Sequence, residues 1–205
     1  GNYPCKNNSI QRWDGFKVPW PFYRTFDKND DRLSVLVGEY MGNDGVLFNE
    51  ESDIIKHGNT YSGAVPVKYG EDPESTGDGS QIDWIVYRYA DVLTLLSEAI
   101  VRQGNSVTQE AVDLLNQIRV RAKLSPYTMG DIKGVDDFLD KMLQERGHEF
   151  WWEGNRRADL IRHGKFIQNA IDRGSTTTKP EFVLFPLPQA VINEGKGIII
   201  QNPGY

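Results

Sequence analysis

The stretch that decides the reading of this chain is Glu145-Arg146-Gly147-His148-Glu149-Phe150-Trp151-Trp152-Glu153-Gly154-Asn155-Arg156-Arg157-Ala158-Asp159-Leu160-Ile161-Arg162-His163-Gly164. It sets acids, arginines and three consecutive aromatic residues in a segment that reads as helix, break, helix, with Gly154 as the break. Aromatic rings such as Phe150, Trp151 and Trp152 bury roughly 150–250 Å² each. Charges beside buried rings must be paired, because an unpaired buried charge costs several kcal/mol. The expectation is a network of Glu145, Glu149 and Glu153 against Arg146, Arg156 and Arg157. Gly147 inside a helix costs about 1 kcal/mol against alanine, which marks a kink or a close helix contact.

Working outward, the periodicity is helical on both sides. Phe138, Leu139, Met142 and Leu143 form one face of a helix from about Val135 into the quoted stretch. A further helix is expected over about 156–171, with an interruption near Gly164. Upstream, Tyr89, Val92, Leu93, Leu96, Ala99 and Ile100 step by three and four, and Gly104-Asn105 ends that run. Ser106 with Gln109 reads as a capping box for the next helix, whose apolar face is Ala111, Leu114, Leu115, Ile118 and Ala122. The two helices form a hairpin, and Leu95, Ala99, Ala111 and Leu115 occupy four positions of the tetratricopeptide pattern. A helical body over 84–172 is therefore expected. Phe182 to Phe185 and Ile198 to Ile200 read as short extended pieces, and Gln189 to Glu194 as a helical turn after Pro188.

From Glu145 to Gly164 the chain resembles the C-terminal part of RagB/SusD proteins, which read loosely Glu-Arg-x-x-Glu-Phe-x-x-Glu-Gly-x-Arg-x-x-Asp-Leu-x-Arg-x-Gly. Three more stretches match in order: Arg88-Tyr89-Ala90-Asp91-Val92-Leu93 with Ser97-Glu98-Ala99, Leu184-Phe185-Pro186-Leu187-Pro188, and Gln201-Asn202-Pro203-Gly204-Tyr205. The resemblance is strong over 84–205 and weak over 1–83. Gly147, and Gly195-Lys196-Gly197, depart from the pattern. The resemblance implies a mainly α fold, SusD-like, with tetratricopeptide-like helix pairs, irregular loops and short extended segments. It also implies a non-catalytic lipoprotein of the outer membrane in a Bacteroidetes-type bacterium. Such a protein captures oligosaccharides at the cell surface and hands them to a SusC-like, TonB-dependent transporter. The lipid anchor would lie upstream, since no hydrophobic stretch precedes Cys5. Residues 84–205 are then the C-terminal helical domain of a longer protein, with 1–83 an irregular aromatic-rich segment packed on it.

Composition agrees with a globular chain. Its 205 residues are 39% hydrophobic and 25% charged, so a sizeable core is within reach. The net charge of −6 argues against nucleic acid, and no apolar run reaches the roughly 18 residues of a membrane span. A single cysteine forms no disulfide within the chain.

The residues do not assemble a catalytic constellation, and no cofactor is implied. Asp27, Asn29 and Asp31 begin a calcium loop, but Arg32 and Gly38 stand where its glycine and glutamate belong. A solvated acidic turn is the better reading of the residues, and the RagB/SusD resemblance, through an Asn-Asp-x-Arg run common in that family, implies a structural turn paired with arginine. His148-Glu149 begins a zinc-protease motif, but Trp152 occupies the second histidine position, leaving His148 a surface or packing residue. Glu145 with Glu149, or Asp30 with Asp31, are the carboxylate pairs a polysaccharide hydrolase would need, and neither shows a reason to face one cleft.

The opening segment carries the candidate binding residues. Tyr3, Trp13, Phe16, Trp20, Phe22, Tyr23 and Phe26 sit among Pro4, Gly15, Pro19 and Pro21. Prolines preclude regular helix here, and binding residues concentrate on such loops. Sugars present flat C–H faces that stack on aromatic rings. Trp13, Trp20 and Tyr23 supply rings, and Asp14 and Arg24 supply groups for hydroxyls. The bland alternative is that these rings fill grooves on the helical body. Residues 33–37 read as a short strand and 41–80 as loop with short extended pieces. Two other functions compete with oligosaccharide binding: a helical protein-interaction scaffold, and a polysaccharide hydrolase.

Overall fold

The computed structural model describes residues 3–6, 16–76 and 79–205. It is mainly helical, with short strands, and divides into two compact units, Gly1–Gly154 and Asn155–Tyr205. The division falls after Gly154, so the aromatic opening segment and the helices up to Phe150 belong to one unit.

The first unit opens with a small antiparallel sheet. Strands β1 (Val18–Pro19) and β2 (Leu36–Val37) flank β5 (Gly63–Pro66), with Val18 opposite Ala64 and Leu36 opposite Pro66. Gly63 is required by this pairing, since a Cβ there would collide with the Val18 carbonyl. A second pair, β3 (Tyr40–Met41) and β4 (Leu47–Phe48), forms a hairpin. A short helix, α1 (Trp20–Tyr23), forms after Pro19 where regular helix was not expected, because Pro21 falls in its first turn, where no N–H is needed. Helix α2 (Glu50–Tyr61) was expected as loop. Its mean composition is polar, but Asn49 and Ser52 cap it reciprocally, and Gly58 at φ 69° kinks it. Residues 31–35 form a 3₁₀ turn, not the start of a strand, because the Asp30 side chain accepts from the Arg32 backbone N–H.

Helices α3 (Tyr89–Gly104), α4 (Gln109–Arg121) and α5 (Val135–Phe150) pack on one another. The hairpin of α3 and α4 turns at Asn105, in left-handed conformation, and Thr108 rather than Ser106 caps α4. Val101, Ala111, Val112, Leu115, Phe138, Leu139 and Met142 form its core. Helix α5 runs through Gly147, which is buried, without interruption.

The face of α3 turned inward is not the one its large apolar residues marked. Ala90, Leu93, Thr94, Ser97 and Val101 are buried, whereas Tyr89, Val92, Leu95, Leu96 and Ala99 are exposed. Small and hydroxyl-bearing residues win because the helices approach closely. Ser97 Oγ donates to the Ala111 carbonyl at 2.6 Å, and Arg146 donates to Thr94 Oγ1 while pairing with Asp91.

The second unit holds α6 (Arg156–Arg162), α7 (Phe166–Asp172), a 3₁₀ turn at Pro180–Val183 and α8 (Gln189–Glu194). Gly164, at φ 68°, separates α6 from α7. The two closing motifs clamp each other. Leu187 N–H donates to Gln201 Oε1 at 2.7 Å, and Gln201 Nε2 returns a bond to the Leu187 carbonyl at 2.9 Å. Asn202 donates to the Phe185 carbonyl and the Tyr205 hydroxyl to the Leu184 carbonyl. These side chains satisfy backbone that forms no strand, where an extended piece was expected at 182–185.

Candidate functional site

The opening segment folds over the sheet. Val18, Trp20, Phe26, Leu36, Phe48 and Ala64 share a core with Trp151, so the first ring after α5 closes the sheet's cluster. Among the candidate binding residues, Trp13 and Asp14 lie outside the described residues. Trp20 is 3% exposed and belongs to this core. Its ring meets Tyr23 edge-on at 5.4 Å, and its Nε1–H donates to Asp53 Oδ2 at 3.1 Å. It offers no free face for stacking; its amphipathic indole finds apolar cover and one acceptor, as buried tryptophans do. Tyr23 is half-buried, and Arg24 is exposed and paired with Glu50.

Asp53, which the sequence reading passed over, is the polar centre of this region. Its carboxylate accepts from Lys17 Nζ at 2.5 Å and Gly63 N–H at 2.7 Å, with His57 Nδ1 at 2.9 Å. Burial works to raise the Asp53 carboxyl, and Lys17, the Gly63 amide and His57 override it, leaving its pKa below the ordinary value. One carboxylate thus ties β1, α1, α2 and β5 together.

The charged stretch around Glu149 is the second polar centre, and its partners differ from those expected. Glu145, Glu149 and Glu153 are buried, but their cations come from elsewhere in the chain. Arg32 Nη1 lies 2.7 Å from Glu145 Oε1 and 3.2 Å from Glu149 Oε2, and Arg119 donates to Glu145 at 2.9 Å. Arg88 and Arg121 pair with Glu149, and Arg88 with Lys68 pairs with Glu153. Arg32 is held by Asp30 as well, at 2.6 Å, so the arginine-paired turn forms as expected. Arg146 turns to Asp91 at 2.7 Å. Arg157, expected among these partners, makes its contacts elsewhere. In its own unit it donates to the Phe182 and Val183 carbonyls and lies over the Phe185 ring at 4.1 Å. The spacing along one helix misled here because α5 is contacted on several sides by other segments.

Burial alone would raise the Glu149 carboxyl; Arg88, with Arg121 and Arg32, reverses this and holds it low. Burial lowers the Lys68 ammonium, and Glu153 only partly restores it. The chain reverses at Trp152, at φ 67°, and Gly154, at φ 85°. For a non-glycine residue that conformation costs roughly 1–2 kcal/mol. The turn drops Trp151 into the core and carries Glu153 back to Lys68 and Arg88. His148 is a packing residue. Its ring stacks on Phe26 at 4.1 Å, and its Nε2 lies 2.8 Å from Thr25 Oγ1.

Among the described residues, no group of three or more His, Cys, Asp or Glu side chains is placed to hold a metal ion. None of their helices is long and apolar enough to cross a membrane.

A helical hairpin, a charged helix end buried under a small sheet, and a pair of mutually clamped closing motifs define a tetratricopeptide-like, SusD-type fold. A family model described as the SusD family matches residues 19–205, and the chain belongs to that family. It is 27% identical over 165 residues to the starch-binding protein SusD of Bacteroides thetaiotaomicron, an alignment covering 77% of this chain and 27% of that protein. A SusD homologue from the same species has a similar structure, with a TM-score of 0.71 at 20% identity, covering 96% of this chain and 46% of the other. Surface glycan-binding protein A from the same species, in complex with laminarihexaose, has a TM-score of 0.60 at 22% identity, covering 98% of this chain and 44% of that one. The chain spans about a quarter of the length of SusD and under half of these solved chains.

Proposed function

We propose that this chain is the C-terminal part of a non-catalytic protein that binds oligosaccharides at the cell surface. The bound glycan passes to a SusC-like, TonB-dependent transporter of the outer membrane. A lipid anchor holds the protein there. The observation that carries the reading is family membership over 19–205 together with a relative described as starch-binding. Glu145, Glu149 and Glu153 are all engaged by cations, which suits a structural role for them. Within the opening segment the proposed contacts are Trp13, Asp14, Tyr23 and Arg24, with Trp20 as the buried support on which Tyr23 rests.

Titration calorimetry with maltohexaose and laminarihexaose tests this. Saturable binding is expected, weakened several-fold by Tyr23→Ala and Arg24→Ala. Unchanged affinity in both variants overturns the contact assignment. A second reading, a protein-interaction scaffold, draws on the exposed apolar stripe of α3, Tyr89, Val92 and Leu96. It predicts no glycan affinity at all.

A further inference from the structure

The loop from Tyr69 to Trp84 begins and ends in stacked rings. The two centroids are 5.0 Å apart and the planes differ by 16°. Tyr69 is half-buried with its hydroxyl oxygen covered, whereas Trp84 is 60% exposed. Tyr69 therefore backs one face of the indole, and the opposite side stands toward solvent.

The pair is anchored at both flanks by buried groups. Lys68, one residue before Tyr69, donates to the Glu149 carbonyl at 2.7 Å and the Trp151 carbonyl at 3.1 Å, and pairs with Glu153. Arg88, four residues after Trp84, donates to the same Glu153 and to the Glu149 carbonyl. Both ends of the loop are thus held by one buried carboxylate, Glu153, in the turn that follows α5. Inside the loop, buried Asp72 accepts from Glu74 N–H at 3.0 Å and from Gln81 N–H at 2.7 Å. Compact loops of this size, closed at the base and tied by their own side chains, are often functional.

We propose that this loop presents Trp84 as a carbohydrate-stacking platform, distinct from the opening segment, that takes the C–H face of one pyranose ring. The proposal rests on the glycan-binding reading above. A ring held flat by another ring, on a base locked by ion pairs, loses little freedom when a sugar settles on it. Gln81 and Asp83, both exposed, carry an amide and a carboxylate within three residues of the indole, groups suited to hydroxyls. The apolar stripe of α3 differs in kind: it is mostly aliphatic, at helical spacing, with the geometry of helix packing. Trp84 instead sits in non-helical chain ahead of that helix.

The test uses the whole chain, with maltohexaose and laminarihexaose as probes and tryptophan emission as readout. Wild type, Trp84→Ala and Trp84→Phe are titrated, with melting curves and sedimentation velocity alongside. Trp84→Ala is expected to abolish most of the emission change and weaken binding about five- to tenfold, whereas Trp84→Phe, which keeps a ring on Tyr69, stays within about threefold. Acrylamide quenching of the parent beside Trp84→Phe separates this indole from the other tryptophans: bound glycan is expected to shield an indole that the parent has and Trp84→Phe lacks. Wild-type binding that is unchanged in Trp84→Ala, or leaves quenching unaltered, overturns the platform alone. A change in sedimentation on Trp84→Ala, with affinity kept, makes the ring a contact between copies and overturns it too. No binding of either probe by wild type overturns the glycan reading and the platform with it.

Discussion

Replacing Glu149 with glutamine removes one charge from the centre of the buried network while keeping shape. The Glu149 side chain is 1% exposed, and its carboxylate faces Arg88, Arg121 and Arg32. Arg32 is nearly buried, so Glu149→Gln leaves it short of one compensating acid where little solvent reaches its guanidinium. Breaking such a buried pair costs roughly 3–5 kcal/mol. For a chain of this size each kcal/mol moves the melting temperature by about 2–4 °C, so a fall of about 6–20 °C is expected. Arg121 gives the internal control. It pairs with the same carboxylate, but its side chain is 57% exposed. Solvent screening holds such a pair to about 1 kcal/mol or less, so Arg121→Ala should lower the melting temperature by under about 4 °C. Thermal unfolding followed by circular dichroism reads both. Equal shifts in the two variants, or a Glu149→Gln shift within about 2 °C, refute the reasoning that burial sets the size of the effect.

Other outcomes follow from the same geometry. The Glu149 carboxyl is held below its ordinary value, so its stabilisation is present above the unfolded carboxylate pKa and is lost as pH falls through the folded one. Acid unfolding of Glu149→Gln should accordingly show a shallower fall than the parent below about pH 4.5. Trp20→Ala should cost about 3–5 kcal/mol in denaturant unfolding, because it empties core and removes one of the donors to Asp53. Asn49→Ala removes the reciprocal cap of α2 and should cost about 1 kcal/mol by the same measurement. The bare stripe of α3 should make the chain self-associate at high concentration, and Val92→Glu with Leu96→Lys should return it to monomer in sedimentation equilibrium.

The helices from Tyr89 to Phe150 were legible because their period is sustained and Gly104-Asn105 ends the first of them. Which side of α3 is buried was not legible. Period marks an apolar stripe, whereas close packing selected Ser97 and Thr94, and that choice depends on Ala111 and Arg146 across the interface. The acids of the quoted stretch were recognisable as buried, yet Arg32, Arg88, Arg119 and Lys68 lie between 26 and 117 residues away along the chain. Helix α2 escaped because its composition is polar and Gly58 interrupts it, although Asn49 with Ser52 was a readable cap. At the candidate site, the density of rings in 16–26 was visible, but not their division into core and surface. Trp20 and Tyr23 differ only in what α2 and the sheet bring against them.

The central claim is that the protein holds an oligosaccharide without cutting it. Equilibrium dialysis of the chain against a mixture of maltohexaose, laminarihexaose and other oligosaccharides, with the retained sugar recovered and sized by mass, tests this most directly. Saturable retention of at least one oligosaccharide is expected, recovered at its original length. Retention of none of them, or recovery of shortened products, would contradict it.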